Sequence, residues 1–143
     1  KHEQRRLALA DGLHRMRWAY NPVLSRNAHF NLSVLGAVGR WFVPDCYGDG
    51  ESRMVVDWDL DQTHPHPTPQ AWAEYSAADW GQADRRDRLA AVPVPVNRDQ
   101  VTPAVNAALD ESFGAILADG LVAVACNRQD HKTSVYLFAE ADR

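Results

Sequence analysis

Three aspartates alternate along Asp57-Trp58-Asp59-Leu60-Asp61, and two histidines, His64 and His66, follow them between prolines. Alternation puts Asp57, Asp59 and Asp61 on one face of a strand. Carboxylates gathered with imidazoles suit a hard or borderline divalent ion. A strand read over 28–35 adds His29, Asn31 and Ser33 to that face if the two strands lie side by side. The set His29, Asp57, Asp59, Asp61, His64 and His66 is thus a candidate site for a small metal-dependent enzyme or ligand-binding domain. His64, His66, Asp59 and Asp61 would be the metal ligands. The plainer reading of the same residues is a solvated acidic strand face.

Other chemistry finds little support. Asp59-Leu60-Asp61-Gln62-Thr63 matches the DxDxT string of aspartate-nucleophile phosphatases of the haloacid dehalogenase type. In that family the string follows the first strand of a parallel sheet. Here 58 residues precede it, and no Asp-Asp pair stands later in the chain. Neither Gly-x-Ser-x-Gly nor a Gly-x4-Gly-Lys-Ser/Thr phosphate loop occurs. Apart from a divalent metal under the first reading, no cofactor is expected. Cys46 and Cys126 lie outside any ligand spacing, and the sequence favours inert thiols in a reducing compartment.

Charge is distributed unevenly. The formal total is −4, yet residues 1–26 hold Lys1, Arg5, Arg6, Arg15, Arg17 and Arg26 against Glu3 and Asp11, or +4, which leaves −8 for the rest. Segment 57–80 carries Asp57, Asp59, Asp61, Glu74 and Asp79 with no Lys or Arg, and Trp80 stands beside Gly81. An acidic stretch with an accessible tryptophan suits a basic protein partner. The leading expectation is therefore a small protein-binding module, of the inhibitor or immunity type, that meets its partner through Asp57, Asp59, Asp61, Glu74, Asp79 and Trp80. A structural or assembly subunit that forms a homo-oligomer is a further alternative. Nucleic acid is disfavoured except at the basic N-terminal helix, because phosphate neutralisation dominates such affinities.

The elements that must position these groups follow from periodicity. Leu9, Leu13, Met16 and Tyr20 recur at helical spacing and predict a helix over 3–19, ended by Asn21-Pro22. Phe30, Leu32 and Val34 alternate with His29, Asn31 and Ser33, which predicts a strand. Met54, Val56, Trp58 and Leu60 alternate in the same way and predict its antiparallel partner. Thr68-Pro69 reads as the start of a helix that carries Trp72 and Tyr75, after the stiff loop 63–69. Asp84–Arg88 reads as a solvated stretch, and Val92-Pro93-Val94-Pro95-Val96 as an edge strand at best. Thr102-Pro103 opens a helix closed by Gly120, and a hairpin of strands 121–126 and 133–139 finishes the chain. Trp41, Phe42, Trp58, Trp72, Tyr75 and Trp80 are expected to fill the core between sheet and helices, with Trp80 the most exposed.

A chain of 143 residues with 45% hydrophobic and 24% charged residues has ordinary composition for one globular domain. The expected fold is α+β, an antiparallel or mixed sheet of about four to five strands with about three helices mainly on one face. The polar start Lys1-His2-Glu3-Gln4-Arg5-Arg6 argues against a signal peptide, and no apolar run approaches a membrane span. A cytoplasmic location is expected.

Overall fold

The computed structural model describes residues 1–45, 48, 50–62 and 69–141. The first helix, α1 (His2–Ala10), is far shorter than 3–19. Gly12 ends it with a φ of +80°, a conformation that stops a right-handed helix. The chain then enters strand β1 (Arg15–Tyr20). Two periods compete here. Leu13 could anchor a longer helix, but it stays 55% exposed. Met16, Trp18 and Tyr20 alternate inward and lie opposite Trp58, Val56 and Met54, so the period of two prevails.

The strand expected over 28–35 is also helical. A short helix α2 (Ser25–Ala28) passes directly into a π-helical turn, His29–Val34. Ala28, Asn31, Leu32 and Leu35 are buried, which is helical i, i+3, i+4, i+7 spacing, while Phe30 and Val34 remain exposed. A buried Asn breaks the apolar helical pattern in the sequence. Its Oδ1 accepts a hydrogen bond from Trp18 Nε1 at 3.3 Å.

The remaining strands are β2 (Val38–Val43), β3 (Arg53–Asp59), β4 (Asp84–Arg86), β5 (Leu89–Pro95), β6 (Leu121–Arg128) and β7 (Thr133–Glu140). They form one seven-stranded sheet in the order β1-β3-β2-β6-β7-β5-β4. Every pairing is antiparallel. The α+β class holds, but a sheet of four to five strands is too small. Residues assigned to a helix (β1) and to a solvated stretch (β4) add strands at both edges. Strand β5 lies inside the sheet, between β7 and β4. Its prolines fit because β4 pairs only with Leu89–Ala91. Beyond β4 the Pro93 carbonyl takes the amide of Gly81 instead, and no donor is needed from Pro93 on that side.

The two parts of the sheet meet at one register pair, Gly39 with Ala123. Both β2 and β6 carry a register shift beside that pair. A Cβ on Gly39 would lie 2.5 Å from Met54 Sδ and 3.0 Å from Ala123 Cβ, so the close approach requires glycine. Next to the joint, the π-helical turn lies along β6. Ser33 Oγ donates to the Cys126 carbonyl at 3.1 Å and accepts from the Cys126 amide at 3.0 Å, and His29 Nδ1 donates to the same carbonyl at 2.8 Å.

Helix α3 (Pro103–Ala118) starts as expected, with the Thr102 hydroxyl accepting from the Val105 amide. It buries Leu109, Phe113 and Ile116 against one sheet face, where α1 adds Ala8 and the α2 region adds Leu32 and Leu35. Phe113 sits among Tyr136, Phe138 and Phe42 with ring centroids 4.8 to 6.1 Å apart. Each fully buried side chain of that size contributes roughly 1.5–3 kcal/mol. The buried hydroxyls are satisfied: Tyr136 donates to the Pro22 carbonyl at 2.6 Å and lies 2.9 Å from the Tyr20 hydroxyl. Cys126 is a free, fully buried thiol in this core, and burial raises its pKa. That agrees with an inert role. Cys46 lies outside the described residues.

On the opposite face, Trp72 and Tyr75 cover Ala91, Ala125, Val135 and Leu137. The helix expected after Pro69 is absent: the described part of the segment contains only a 3-10 turn, Ala77–Asp79. Side-chain bonds hold this cover instead. Asp84 Oδ2 accepts from Tyr75 Oη at 2.6 Å and Trp72 Nε1 at 3.0 Å, and Gln129 clamps the Tyr75 backbone at both its N–H and C=O. The Tyr75 hydroxyl, more than any other neighbour, holds the Asp84 carboxyl below its ordinary range. The folded-state pKa is depressed, so this contribution is present above the unfolded carboxylate pKa of about 4 and is lost as pH falls through the lower folded value. Tyr75→Phe is expected to cost about 1.5 kcal/mol at neutral pH. It should also flatten the acid limb of a stability–pH profile measured by urea unfolding. An unchanged limb would contradict the role given to this bond.

Candidate functional site

Part of the second sheet face is left open, where β1, β3 and β2 run side by side. At its centre is Asp57, only 6% exposed. Three arginines converge on its carboxylate: Arg15 Nη1 at 2.9 Å, Arg40 Nε at 3.3 Å and Arg17 Nε at 3.4 Å. Register brings them there. Arg17 lies directly opposite Asp57 and Arg15 opposite Asp59. Arg40 arrives through the shift between Gly39 and Trp41, where β2 has one residue more than β3. A bulge of this kind lets consecutive residues share one face, and so Trp41 follows Arg40 onto the open side.

Trp41 differs from the other tryptophans. The indole N–H groups of Trp18, Trp58, Trp72 and Trp80 each donate to a protein acceptor. Trp41 is 42% exposed, with the Arg17 guanidinium 4.8 Å from its ring centroid. Val43, two residues on, is 39% exposed. The side chains of Arg15 and Arg17 are more than half exposed and that of Arg40 about a quarter. Three guanidinium groups face the Asp57 carboxylate, and Asp59 lies opposite Arg15, so positive charge exceeds negative by one at this centre. This departs from the expected core role for Trp41 and from an exposed Trp80, whose half-buried indole donates to Thr133 Oγ1 at 3.0 Å.

The residues expected to form an acidic face are placed differently. Asp57 is buried under arginines. Asp59 Oδ1 accepts from the Asp61 amide at 3.0 Å, and Asp61 pairs with His14 at 2.9 Å. Asp79 closes a capping box with Ser76, its carboxylate accepting from the Ser76 amide at 2.8 Å. Glu74 is exposed on the rim of a cleft floored by Val135 and Leu137. Among the described residues, Asp59, Glu74 and Asp79 pair with no Lys or Arg.

The metal reading loses its geometry among the described residues. His29 lies along β6, whereas the sheet neighbours of Asp57 are on β1 and β2, so the juxtaposition expected from a strand at 28–35 is not formed. The described residues contain no group of three or more His, Cys, Asp or Glu able to hold a metal ion. His64, His66 and the rest of 63–68 lie outside the described residues. No helix among the described residues is long and apolar enough to cross a membrane.

The helical period places Arg15 and Arg17 on a helix, and no motif places Arg40 in a site. The signal that could have found the first two was present: Arg15, Arg17 and Ala19 alternate with Met16, Trp18 and Tyr20. No family model matches the chain, and neither a curated protein nor a solved structure is significantly similar to it. The chemistry of the face is therefore the guide to what it binds. Guanidinium forks and an exposed indole recognise carboxylates and flat or apolar groups.

Proposed function

We propose that this chain is a protein-binding module whose contact surface is the arginine–tryptophan face of β1, β3 and β2, and that its partner presents an acidic surface. The observation that carries the proposal is the single buried carboxylate of Asp57, which holds three guanidinium groups beside the exposed ring of Trp41. Arg and Trp are the residue types that most often dominate binding energy at interfaces. Arginines already oriented by Asp57 lose less freedom when a partner docks. Val43 supplies apolar area beside the charges.

The partner's charge is the reverse of that expected from the sequence, because Asp57, Asp61 and Asp79 are engaged within the chain. An inhibitor of this type would act by covering its partner's acidic segment. Single-stranded nucleic acid would also find arginines and a stacking ring here, and the net charge of −4 opposes either polyanion alike, so direct comparison of the two separates them.

Binding of polyglutamate, polylysine and oligothymidylate, measured by fluorescence for wild type and Trp41→Ala, tests the proposal. Polyglutamate should bind wild type, weaken as salt rises, and lose about tenfold or more in affinity with Trp41→Ala. Preference for polylysine would restore a basic partner. Preference for oligothymidylate would reassign the face to nucleic acid.

A further inference from the structure

Strand β1 ends the sheet, with β3 as its only strand neighbour among the described residues. Its pairing with β3 is unbroken over six residues, Arg15↔Asp59 to Tyr20↔Met54. Just before the strand, the Leu60 amide donates to the His14 carbonyl at 2.9 Å. In an antiparallel ladder, hydrogen-bonded and non-bonded positions alternate. His14, Met16, Trp18 and Tyr20 therefore direct their backbone groups to β3. Arg15, Arg17 and Ala19 direct theirs outward, and all three are exposed.

The edge and the open face thus share residues. Arg15 and Arg17 present outward amides and carbonyls at the sheet margin and guanidinium groups on the face beside it. Here the charges lie at alternate positions, matched in spacing to carboxylates on an adjacent extended chain. A second copy of this chain is a poor occupant, because the register that pairs most of β1 with itself sets Arg17 opposite Arg17.

From this juxtaposition we infer that the free edge of β1 receives an extended acidic segment of the partner as an added strand, with carboxylates two residues apart facing Arg15 and Arg17. The inference rests on the proposed acidic partner and specifies how that partner binds. Main-chain bonds to Arg15, Arg17 and Ala19 would supply affinity and the two arginines selectivity, as in strand addition generally.

Ala19→Pro separates edge pairing from docking on the face. It removes one outward N–H at an edge position, where proline is tolerated, and leaves the three arginines and Trp41 unchanged. The probe is a short peptide alternating glutamate and valine, with polyglutamate as a reference for charge alone. Wild type should bind the peptide, and Ala19→Pro should bind it about tenfold more weakly while keeping its affinity for polyglutamate. Hydrogen exchange on wild type supplies an independent readout, in which the peptide should slow the amides of Arg15, Arg17 and Ala19. Equal peptide affinity in the two proteins, or no slowing at those amides, overturns strand addition while polyglutamate binding leaves the face proposal standing. Slowing that appears without peptide as protein concentration rises makes a second copy the occupant and also overturns it. If wild type binds neither probe, both proposals fall.

Discussion

Replacing Arg15, Arg17 and Arg40 together by glutamine is expected to destabilise the fold by on the order of 3–5 kcal/mol. The cost comes from the carboxylate more than from the arginines. Asp57 is only 6% exposed, and among the described residues its countercharges are the guanidinium groups of Arg15, Arg17 and Arg40. Without them a charged group stays buried with no countercharge. Asp57→Asn alone should cost less, about 1–2 kcal/mol, because Arg15 and Arg17 can turn to water. Adding Asp57→Asn to the triple variant should recover most of the loss. Urea unfolding of the four proteins gives the coupling energy directly. Additive costs, with no recovery in the quadruple variant, would show that the arginines do not act through Asp57.

Gly81→Ala should be almost as damaging, by about 2–5 kcal/mol, for a different reason. Gly81 has a φ of +84°, in the region that favours glycine. A Cβ there would meet Ala108 Cβ at 2.7 Å and the backbone of Val105 and Leu109 at 3.3 Å, so α3 would have to move. The same residue ties β5 and α3 together. Its amide donates to the Pro93 carbonyl, and its carbonyl accepts from Ser112 Oγ at 2.6 Å. Gly120→Ala is the control, since Gly120 has a φ of +90° but nothing within 4 Å of the added carbon. It should cost only about 1–2 kcal/mol. Equal melting temperatures for the two variants would mean that the contact with α3 carries no strain.

The sequence was legible where one signal acted alone. Strand β3 shows unbroken alternation, and Met54, Val56, Trp58 and Leu60 are buried as that pattern requires. Helix α3 has a cap, a proline at its start and a terminating glycine, and it forms where those signals put it. The final hairpin is likewise found at 121–128 and 133–140. Legibility failed where two periods overlapped. Leu9, Leu13, Met16 and Tyr20 fit a helix, while Met16, Trp18 and Tyr20 fit a strand. Contact with β3, a partner some forty residues away, decided between them. Around 28–35 the reverse happened, and the buried Asn31 hid a helical stripe.

The site was less legible than the fold for the same reason. Asp57 looked like one member of an acidic face because Asp59 and Asp61 stand beside it. Its true neighbours come from β1 and from a bulge in β2, and no local pattern announces them. A reading of charge along the chain made segment 57–80 acidic. Charge in space makes the surface around Asp57 basic.

The most direct test of this account is a heteronuclear NMR titration with polyglutamate, following arginine Nε–H and tryptophan indole N–H resonances. Shifts are expected at Arg17, Arg40 and Trp41, with Trp80 unmoved. Resonances of Arg17, Arg40 and Trp41 that stay unchanged at high polyglutamate concentration would contradict it.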